Sequence, residues 1–261
     1  IDAETGVNIS FQSFVKNIKK DVYNIKNLDS ASVYILKVDN SIQSLILIAT
    51  FFYFRKKIIL FPKNQRLNSQ LKSNFNFLAY EVYVGKKLSL KKISNTKLAE
   101  FNFDILIMSS GSTGKSKLVK LELNKSLNNS ISMGKLCKFN KQNIHYMIMP
   151  IYHVNSLFFS FLSSLIYKQK VIIRRKFYPL EFWKDIKKFK IKTTSVSPTI
   201  VRYLNHFKVA FKKINFLKIV ICSSSFLTKL DYKNFKKNFS INITQGYGLS
   251  EATNFNSLMP T

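Results

Sequence analysis

The sequence predicts an α/β fold in which layered, largely parallel sheets are flanked by helices. Segments with strand character alternate with segments whose apolar residues recur at helical spacing, along nearly the whole chain. The 261 residues can bury a sizeable core, as one large domain or two smaller ones. Hydrophobic residues make up 46% of the chain, which argues against disorder. We find no internal repeat and no low-complexity linker.

The first half of the chain is predicted to contain two helices and several strands. Phe11, Phe14 and Ile18 have helical spacing directly after Ser10, a residue type that caps helices. A second, strongly apolar helix is expected to follow a cap at Asn40. The expected strands are 32–38, 57–61, 78–84 and 103–108, with residues 64–76 and 86–97 as loops or inserts.

The second half is predicted to continue the alternation. Pro179 suits the first turn of a helix whose apolar stripe contains Phe182, Trp183 and Ile186. Thr228 is expected to open another helix in a capping box. The remaining expected elements are a helix capped by Asn124 and ending near Cys137, helices 154–167 and 198–207, and strands 144–149, 169–174, 192–197, 216–222 and 241–244. No closing element is expected near the C-terminus, and a start at Ile1 suggests a fragment.

Composition restricts the possible function classes. The formal charge is +29, but 37 of the 42 basic residues are lysines, and they are scattered along the chain. A nucleic-acid surface concentrates such charge on one face and often uses arginine, so no specific nucleic-acid partner is expected. Cys137 and Cys222 lie in apolar surroundings, which favours buried thiols in a reducing compartment. We see no secretory leader and no stretch long enough for a transmembrane segment, so a cytoplasmic location is predicted.

Residues 106–119 contain the most informative pattern in the chain. An apolar run ends at Met108, and a segment rich in hydroxyl groups, glycine and lysine follows it. Gly111 and Gly114 allow close backbone approach to a ligand, so the segment could surround a polyphosphate. A polar surface turn is the alternative interpretation.

A P-loop would need G-x-x-x-x-G-K-[ST] followed by a helix. Gly114, Lys115 and Ser116 match its end, but Ser109 stands where the first glycine belongs. The residues after the loop alternate between apolar and charged side chains, which predicts a strand. A P-loop kinase is therefore disfavoured.

Strand, loop and strand is the arrangement found in adenylate-forming enzymes, the superfamily of acyl-CoA synthetases, luciferases and peptide-synthetase adenylation domains. Residues 109–117 resemble its phosphate loop, residues 149–155 resemble its Pro-x-x-His segment, and residues 245–251 resemble its Tyr-Gly-x-Thr-Glu segment. The three segments occur in the family's order. The chain is therefore identified as similar to the large N-terminal AMP-binding domain of such an enzyme over residues 1–261, with the C-terminal domain absent.

The resemblance implies a role for each matching residue. His153 would line the acyl pocket, Lys117 would contact phosphate, Glu251 would hold Mg²⁺, and Tyr247 would stack on adenine. The implied nucleotide-binding residues are Ser110, Gly111, Ser112, Thr113, Gly114, Ser224, Ser225, Tyr247, Gly248 and Ser250. Ordinary packing for Tyr247, a structural role for His153 and a solvated turn for Glu251 remain open alternatives.

Several positions depart from the family pattern. Ser116 and Leu118 replace the usual proline and glycine of the loop, Ser250 replaces threonine, and serines 223–225 replace a glycine- and alanine-rich turn at the adenine pocket. Val154, Leu157, Phe158 and Phe161 suggest either an apolar pocket wall or a helix core. His145 and His206 are expected to be structural residues without partners.

The predicted function is ATP-dependent activation of a carboxylic acid to an acyl-adenylate, with Mg²⁺ as cofactor and release of pyrophosphate. Coenzyme A or a carrier-protein phosphopantetheine would accept the acyl group. The alternatives are a free-standing amino- or aryl-acid adenylation domain, a P-loop-like kinase and a basic nucleic-acid-binding protein. The pattern does not identify the acid.

Overall fold

The computed structural model describes residues 1–21, 23–67, 69, 72, 75–85, 88–94, 103–110, 116–207 and 215–259, without the side chains of Ser110 and Ser116. The chain divides into two compact units. Residues 9–126 form what we call the N-terminal unit, and residues 1–8 together with 127–261 form the C-terminal unit. That residues 1–261 are one AMP-binding domain of a longer enzyme stays a prediction.

The N-terminal unit contains a six-stranded mixed sheet. Its strand order is β4-β3-β1-β2-β5-β6, in which the four central strands are parallel and both edge strands are antiparallel. Parallel strands buried between helices read as continuous apolar runs, which is what β1 and β2 show. The elements are α1 (Phe11–Lys20), β1 (Val33–Val38), α2 (Ile42–Tyr53), β2 (Lys57–Pro62), β3 (Ala79–Val84), β4 (Leu88–Ser94), β5 (Ile105–Ser110) and β6 (Ser116–Leu121).

Two helix starts in the N-terminal unit test the predicted caps. Ser10 caps α1, because its Oγ accepts a hydrogen bond from the Ser13 amide at 3.0 Å, as predicted. The predicted cap of α2 is wrong by one residue. Ser41, not Asn40, has the extended backbone of a cap and accepts from the Ser44 amide at 3.2 Å.

The C-terminal unit contains a second six-stranded sheet, in the order β12-β11-β10-β9-β7-β8. All its neighbouring strands are parallel except the edge pair of β11 and β12. The elements are β7 (Ile144–Met147), α4 (π-helical over Asn155–Ser163 and α-helical over Ser164–Ile166), β8 (Lys170–Ile173), α5 (Pro179–Phe189), β9 (Thr193–Val196), α6 (Pro198–His206), β10 (Ile219–Cys222), α7 (Lys229–Phe239), β11 (Thr244–Gly248) and β12 (Phe255–Leu258). Helix α3 (Leu123–Leu136) contains the boundary between the units.

The predicted apolar stripe of α5 forms part of the core of the C-terminal unit. Phe182, Trp183 and Ile186 are almost completely buried. The Trp183 ring packs against Phe239 of α7, with 4.4 Å between the ring centroids. The predicted fold class is therefore confirmed: helices flank largely parallel sheets.

Several predicted boundaries are wrong. Helix α3 starts at Leu123, whose amide donates to the Asp104 carboxylate at 2.7 Å, so Asn124 is not its cap. The last parallel strand is residues 244–248 rather than 241–244, because Ile241 and Ile243 are buried in the core before the pairing begins. Two strands were missed: β4 in a predicted loop, and β12 where no closing element was expected. Both are antiparallel edge strands. No residue of β4 is fully buried, and Phe255 is the only buried residue of the four in β12, so apolar alternation does not reveal either strand.

Candidate functional site

The predicted phosphate loop joins two antiparallel strands. Ser109 pairs with Lys117 and Ser110 pairs with Ser116 across β5 and β6. A strand therefore follows the loop, as predicted, where a P-loop would need a helix. The proposed phosphate-binding residues Gly111, Ser112, Thr113 and Gly114 lie outside the described residues.

Lys117 stands at the beginning of β6 with an exposed side chain. Ser110 is the last residue of β5, and its backbone alone is described. Because the register is antiparallel, both residues lie next to the loop, on its two sides. The hairpin thus places one lysine beside the segment predicted to bind phosphate.

In the C-terminal unit, the other predicted residues gather at the carboxyl ends of parallel strands, the usual ligand-binding edge of an open α/β sheet. His153 follows β7, serines 223–225 follow β10, and Tyr247 lies near the end of β11. Strand order brings β10 and β11 side by side. The sequence segments that resemble family signatures in this unit therefore share one edge of the sheet.

His153 precedes α4, and its backbone amide donates to the Pro150 carbonyl at 3.0 Å. Its ring lies 4.7 Å from the Tyr152 ring, centroid to centroid, and the residue is exposed to solvent. Desolvation by the neighbouring protein lowers the pKa of His153 below its ordinary value. The imidazole is therefore neutral near pH 7 and can both donate and accept a hydrogen bond.

The serine turn, residues 223–225, has an unusual backbone. Ser224 has φ of +78°, a left-handed conformation that favours glycine. Ser224 and Ser225 are exposed, whereas Ser223 is buried. The Gln245 side chain donates to the Ser225 carbonyl at 3.4 Å, so the turn is connected to β11. A serine thus occupies a conformation for which the family pattern has a glycine-rich turn.

Asn155 was not predicted as a site residue. Its Nδ2 donates to the Ser223 hydroxyl at 2.7 Å, and its Oδ1 accepts from the Ser195 hydroxyl at 2.7 Å. Asn155 and both serines are almost fully buried. The signal in the sequence was a single amide, two residues after His153, at the start of a helix made of leucine, phenylalanine, isoleucine and serine.

Gly248 has a packing explanation. A Cβ atom there would lie 1.8 Å from the Asn254 carbonyl oxygen, so only glycine fits against the chain that leads into β12. Tyr247 beside it is exposed, which leaves its ring face free for a ligand. The predicted nucleotide contacts of both residues stay predictions.

Ser250 and Glu251 lie in a single 3₁₀ turn, Ser250–Ala252, after β11. The Glu251 side chain is exposed. Within the described part of the chain, no lysine or arginine makes an ion pair with Glu251. Its carboxylate oxygens suit a hard cation such as Mg²⁺.

Of the remaining histidines, His145 is buried, whereas His206 is exposed at the end of α6. The expectation that His145 lacks a partner is wrong, because its Nδ1 shares a hydrogen bond with the Thr193 hydroxyl at 2.8 Å. Cys137 and Cys222 are free thiols, and burial raises the pKa of each to about 12. Over the described ranges, no three His, Cys, Asp or Glu residues cluster as metal ligands, and no helix is long and apolar enough to cross a bilayer.

The four apolar residues considered as a pocket wall have different environments. Leu157, Phe158 and Phe161 of α4 are buried, while Val154 is partly exposed. Burial of three of them in the π-helical segment supports the helix-core alternative. Their contribution to an acyl pocket stays a prediction.

The six-stranded, largely parallel sheet of the C-terminal unit has serine-bearing turns at its carboxyl edge, where open α/β sheets usually bind ligands. The N-terminal unit adds a pair of antiparallel strands with an exposed lysine. These features define an α/β protein with a candidate ligand-binding edge. The chain belongs to the AMP-binding enzyme family, whose model matches residues 12–260. The predicted resemblance to the N-terminal portion of adenylate-forming enzymes is thereby confirmed.

The curated proteins to which the chain is similar include proteins named as CoA ligases. The chain is 24% identical over 183 residues to an oxalate–CoA ligase of Saccharomyces cerevisiae, covering 67% of this chain and 33% of that protein. It is 27% identical over 119 residues to a marinolic acid–CoA ligase of a Pseudoalteromonas species, covering 43% of this chain and 18% of that protein. The chain thus spans a third or less of the length of these relatives.

Solved structures share the fold over almost the whole chain. The ATP-bound structure of MatB from Rhodopseudomonas palustris aligns with a TM-score of 0.78 at 16% identity, over 98% of this chain and 57% of that one. The o-succinylbenzoate–CoA synthetase of Bacillus subtilis, in complex with ATP and magnesium ion, aligns with a TM-score of 0.77 at 13% identity, over 98% of this chain and 58% of that one. At this identity the likeness establishes the fold alone.

Proposed function

We propose that this chain forms the nucleotide-binding part of an ATP-dependent acid–thiol ligase. Such an enzyme joins a carboxylate to the α-phosphate of ATP, releases pyrophosphate and passes the acyl group to a thiol. Family membership over residues 12–260 carries the proposal. The relatives named as CoA ligases support coenzyme A as the acceptor, with carrier-protein phosphopantetheine as the alternative. The two free buried thiols support a cytoplasmic location.

The chemical difficulty is that a carboxylate must approach a polyphosphate. Two like unit charges ~4 Å apart repel by about 1 kcal/mol in water and about 4 kcal/mol at an effective dielectric near 20. The exposed Lys117 beside the loop would offset part of this repulsion, in a chain whose net charge of +29 already attracts anions. Ser110 and the loop residues 111–114 would orient the phosphates through hydroxyl and backbone donors.

In the C-terminal unit, the exposed Tyr247 ring would stack on adenine beside Ser224 and Ser225. The Ser250 hydroxyl would donate to the α-phosphate. Glu251 would hold Mg²⁺, which supplies positive charge to the phosphates when bound. His153, neutral because desolvation lowers its pKa, would orient the acid by hydrogen bonding without adding charge.

ATP–pyrophosphate exchange that depends on an added carboxylic acid tests the reaction class. The acids tried would include oxalate, for which the Saccharomyces cerevisiae relative is named, and a long-chain fatty acid. Exchange that requires one of these acids is expected from the complete enzyme, whereas this chain alone should bind Mg·ATP and exchange poorly. Exchange with none of them, together with no binding of Mg·ATP by calorimetry, would contradict the proposal.

Lysine substitutions separate this site from a P-loop. Lys117→Ala is expected to weaken Mg·ATP about tenfold or more, because a hydrogen bond to a charged group contributes about 1.5–3 kcal/mol. Lys92→Ala on β4 removes the same charge from an exposed position at the other edge of the same sheet and should change affinity less than about twofold. Loss of binding in Lys115→Ala but not in Lys117→Ala would favour the P-loop alternative.

Two further measurements test the metal and the nucleic-acid alternative. Glu251→Gln should remove most of the Mg²⁺ dependence of ATP affinity while sparing the affinity for metal-free ATP. If the ATP affinity of Glu251→Gln depends on Mg²⁺ as strongly as that of the wild type, Glu251 is not a ligand of Mg²⁺. Tight DNA binding that falls steeply with salt, without affinity for nucleotide, would instead support a nucleic-acid-binding protein.

A further inference from the structure

The side chain of Asn155 uses both ends of its amide inside the core of the C-terminal unit. Its donor contacts Ser223 and its acceptor contacts Ser195, each at 2.7 Å. Only 4% of Asn155 is exposed, so water cannot replace either partner. A buried amide with both groups satisfied holds one orientation, because any rotation leaves a polar group unpaired.

On one side, Asn155 belongs to the segment that carries His153. It is the first residue of the π-helical part of α4. The next residue, Ser156, donates its hydroxyl to the Met149 carbonyl at 2.7 Å, and the Leu157 amide donates to the His153 carbonyl at 3.0 Å. The beginning of α4 is thus attached both to the end of β7 and, through Asn155, to the neighbouring strands.

On the other side, Asn155 contacts the first residue of the serine turn. The Ser223 amide donates to the Val196 carbonyl at 3.1 Å, which fixes its backbone to β9, while its hydroxyl is held by Asn155. Ser224 follows in the left-handed conformation. Two anchors on Ser223 therefore precede the one residue of the turn whose backbone is strained.

Ser195 completes the arrangement. It lies in β9, directly opposite Ile221 of β10 in the parallel register. Asn155 therefore joins a residue within the sheet to a residue just beyond its carboxyl edge. Three elements, α4, β9 and the turn after β10, meet at this one side chain.

From this geometry we infer that Asn155 is a positioning residue for the nucleoside. It holds the serine turn in a fixed relation to the start of α4, so that Ser224 and Ser225 keep the shape that receives the adenosine part of ATP. The inference rests on the proposed function, in which this turn lies at the adenine pocket. Asn155 acts through Ser223 and does not itself contact the ligand.

Comparison of two ligands tests this role. Mg·ATP contains the nucleoside, whereas magnesium tripolyphosphate reports only on phosphate contacts. Ser223→Ala removes the link between Asn155 and the turn and should weaken Mg·ATP about tenfold, the effect of one lost buried hydrogen bond, while tripolyphosphate affinity changes less than about twofold. Asn155→Leu, of similar size, should give a larger loss of the same kind.

Ser163→Ala is the matched control. Ser163 is a buried serine of the same helix, and its hydroxyl donates to the Ser130 carbonyl at 2.8 Å, away from the turn. Both ligands should bind this variant as they bind the wild type. Urea unfolding of all three variants identifies any that do not fold. If Asn155→Leu does not fold, the comparison of Ser223→Ala with the wild type is sufficient for the test.

The outcomes separate the inference from the proposed function. Suppose that the wild type binds Mg·ATP. The positioning role is wrong, and the proposed function stands, if Ser223→Ala binds Mg·ATP as tightly as the wild type does. The same conclusion follows if Ser223→Ala loses affinity for Mg·ATP and for tripolyphosphate to the same extent. If the wild type gives no heat with Mg·ATP, the proposed function fails, and the inference fails with it.

Discussion

Gly248 and Asn254 lie in such close contact that no side chain fits between them: a Cβ atom on Gly248 would stand 1.8 Å from the Asn254 carbonyl oxygen. The contact occurs where β12 turns back to pair with β11. Glycine in the segment that resembles a Tyr-Gly signature thus has a structural reason, independent of any ligand. The edge of this sheet depends on it.

Gly248→Ala should destabilise the C-terminal unit by about 1–3 kcal/mol, because overpacking against backbone cannot be relieved by a side-chain rotation. Gly246→Ala is the control. Its Cβ would meet the Phe255 ring at 2.6 Å, a longer contact and one with a side chain rather than with backbone, so the loss should be smaller. Urea unfolding measures both, and hydrogen exchange at residues 255–258 should rise most in Gly248→Ala. A larger loss in Gly246→Ala would contradict this account.

His145 should make stability fall in acid. Burial lowers its pKa to about 3 in the folded protein, while the unfolded chain keeps an ordinary value near 6.5. Between these two values the unfolded state binds more protons, so the free energy of unfolding decreases as pH falls from about 6.5, by up to about 1.4 kcal/mol per pH unit.

Urea unfolding between pH 7 and pH 4 checks the His145 prediction. His145→Leu lacks the titrating group and should lose less stability over the same range. His153→Ala serves as the control, because His153 is exposed to solvent and its removal should flatten the profile less. Parallel profiles for wild type and His145→Leu would show that the burial of His145 does not set the acid response.

Ser224→Gly should stabilise the protein by up to about 1 kcal/mol. A left-handed residue other than glycine is strained by about 1–2 kcal/mol, and glycine removes this strain. Glycine also gives the unfolded chain more conformational entropy, which offsets part of the gain. Ser225 has no positive φ. Ser225→Gly should therefore reduce stability, by about 0.5–1 kcal/mol. Thermal unfolding distinguishes the two, and a loss of stability in Ser224→Gly would show that the turn is not strained.

Asp185 forms a buried pair with Arg174, with 2.6 Å between its Oδ2 and the guanidinium Nε, and it also accepts from the Tyr146 hydroxyl at 2.6 Å. Asp185→Ala leaves the arginine buried without this partner and should cost about 3–5 kcal/mol. Glu181→Ala removes a partly exposed partner 3.6 Å from Arg174 and should cost less than about 1 kcal/mol. Urea unfolding measures the free energy of unfolding of both variants. Equal losses of stability would mean that the Asp185–Arg174 pair is not effectively buried.

Local sequence patterns predicted the fold class and most element positions. The Ser10 cap and the apolar stripe of α5 depend on contacts within a few residues, so the sequence alone reveals them. The same holds for the apolar and charged alternation in β6. The family segments likewise could be recognised without a structure. Boundaries failed where a distant group intervened, as when the Asp104 carboxylate received the first amide of α3.

The sequence by itself determined the alternation of strands and helices, the family and the residue types that could bind a nucleotide, because spacing and composition carry that information. Only the tertiary structure decided that Asn155 joins α4 to the serine turn, that Ser224 adopts a left-handed backbone, and that Gly248 lies against Asn254. The first joins residues far apart in the chain, the second is a backbone angle, and the third is a close approach of two backbone segments. None of these is visible in a period or a motif.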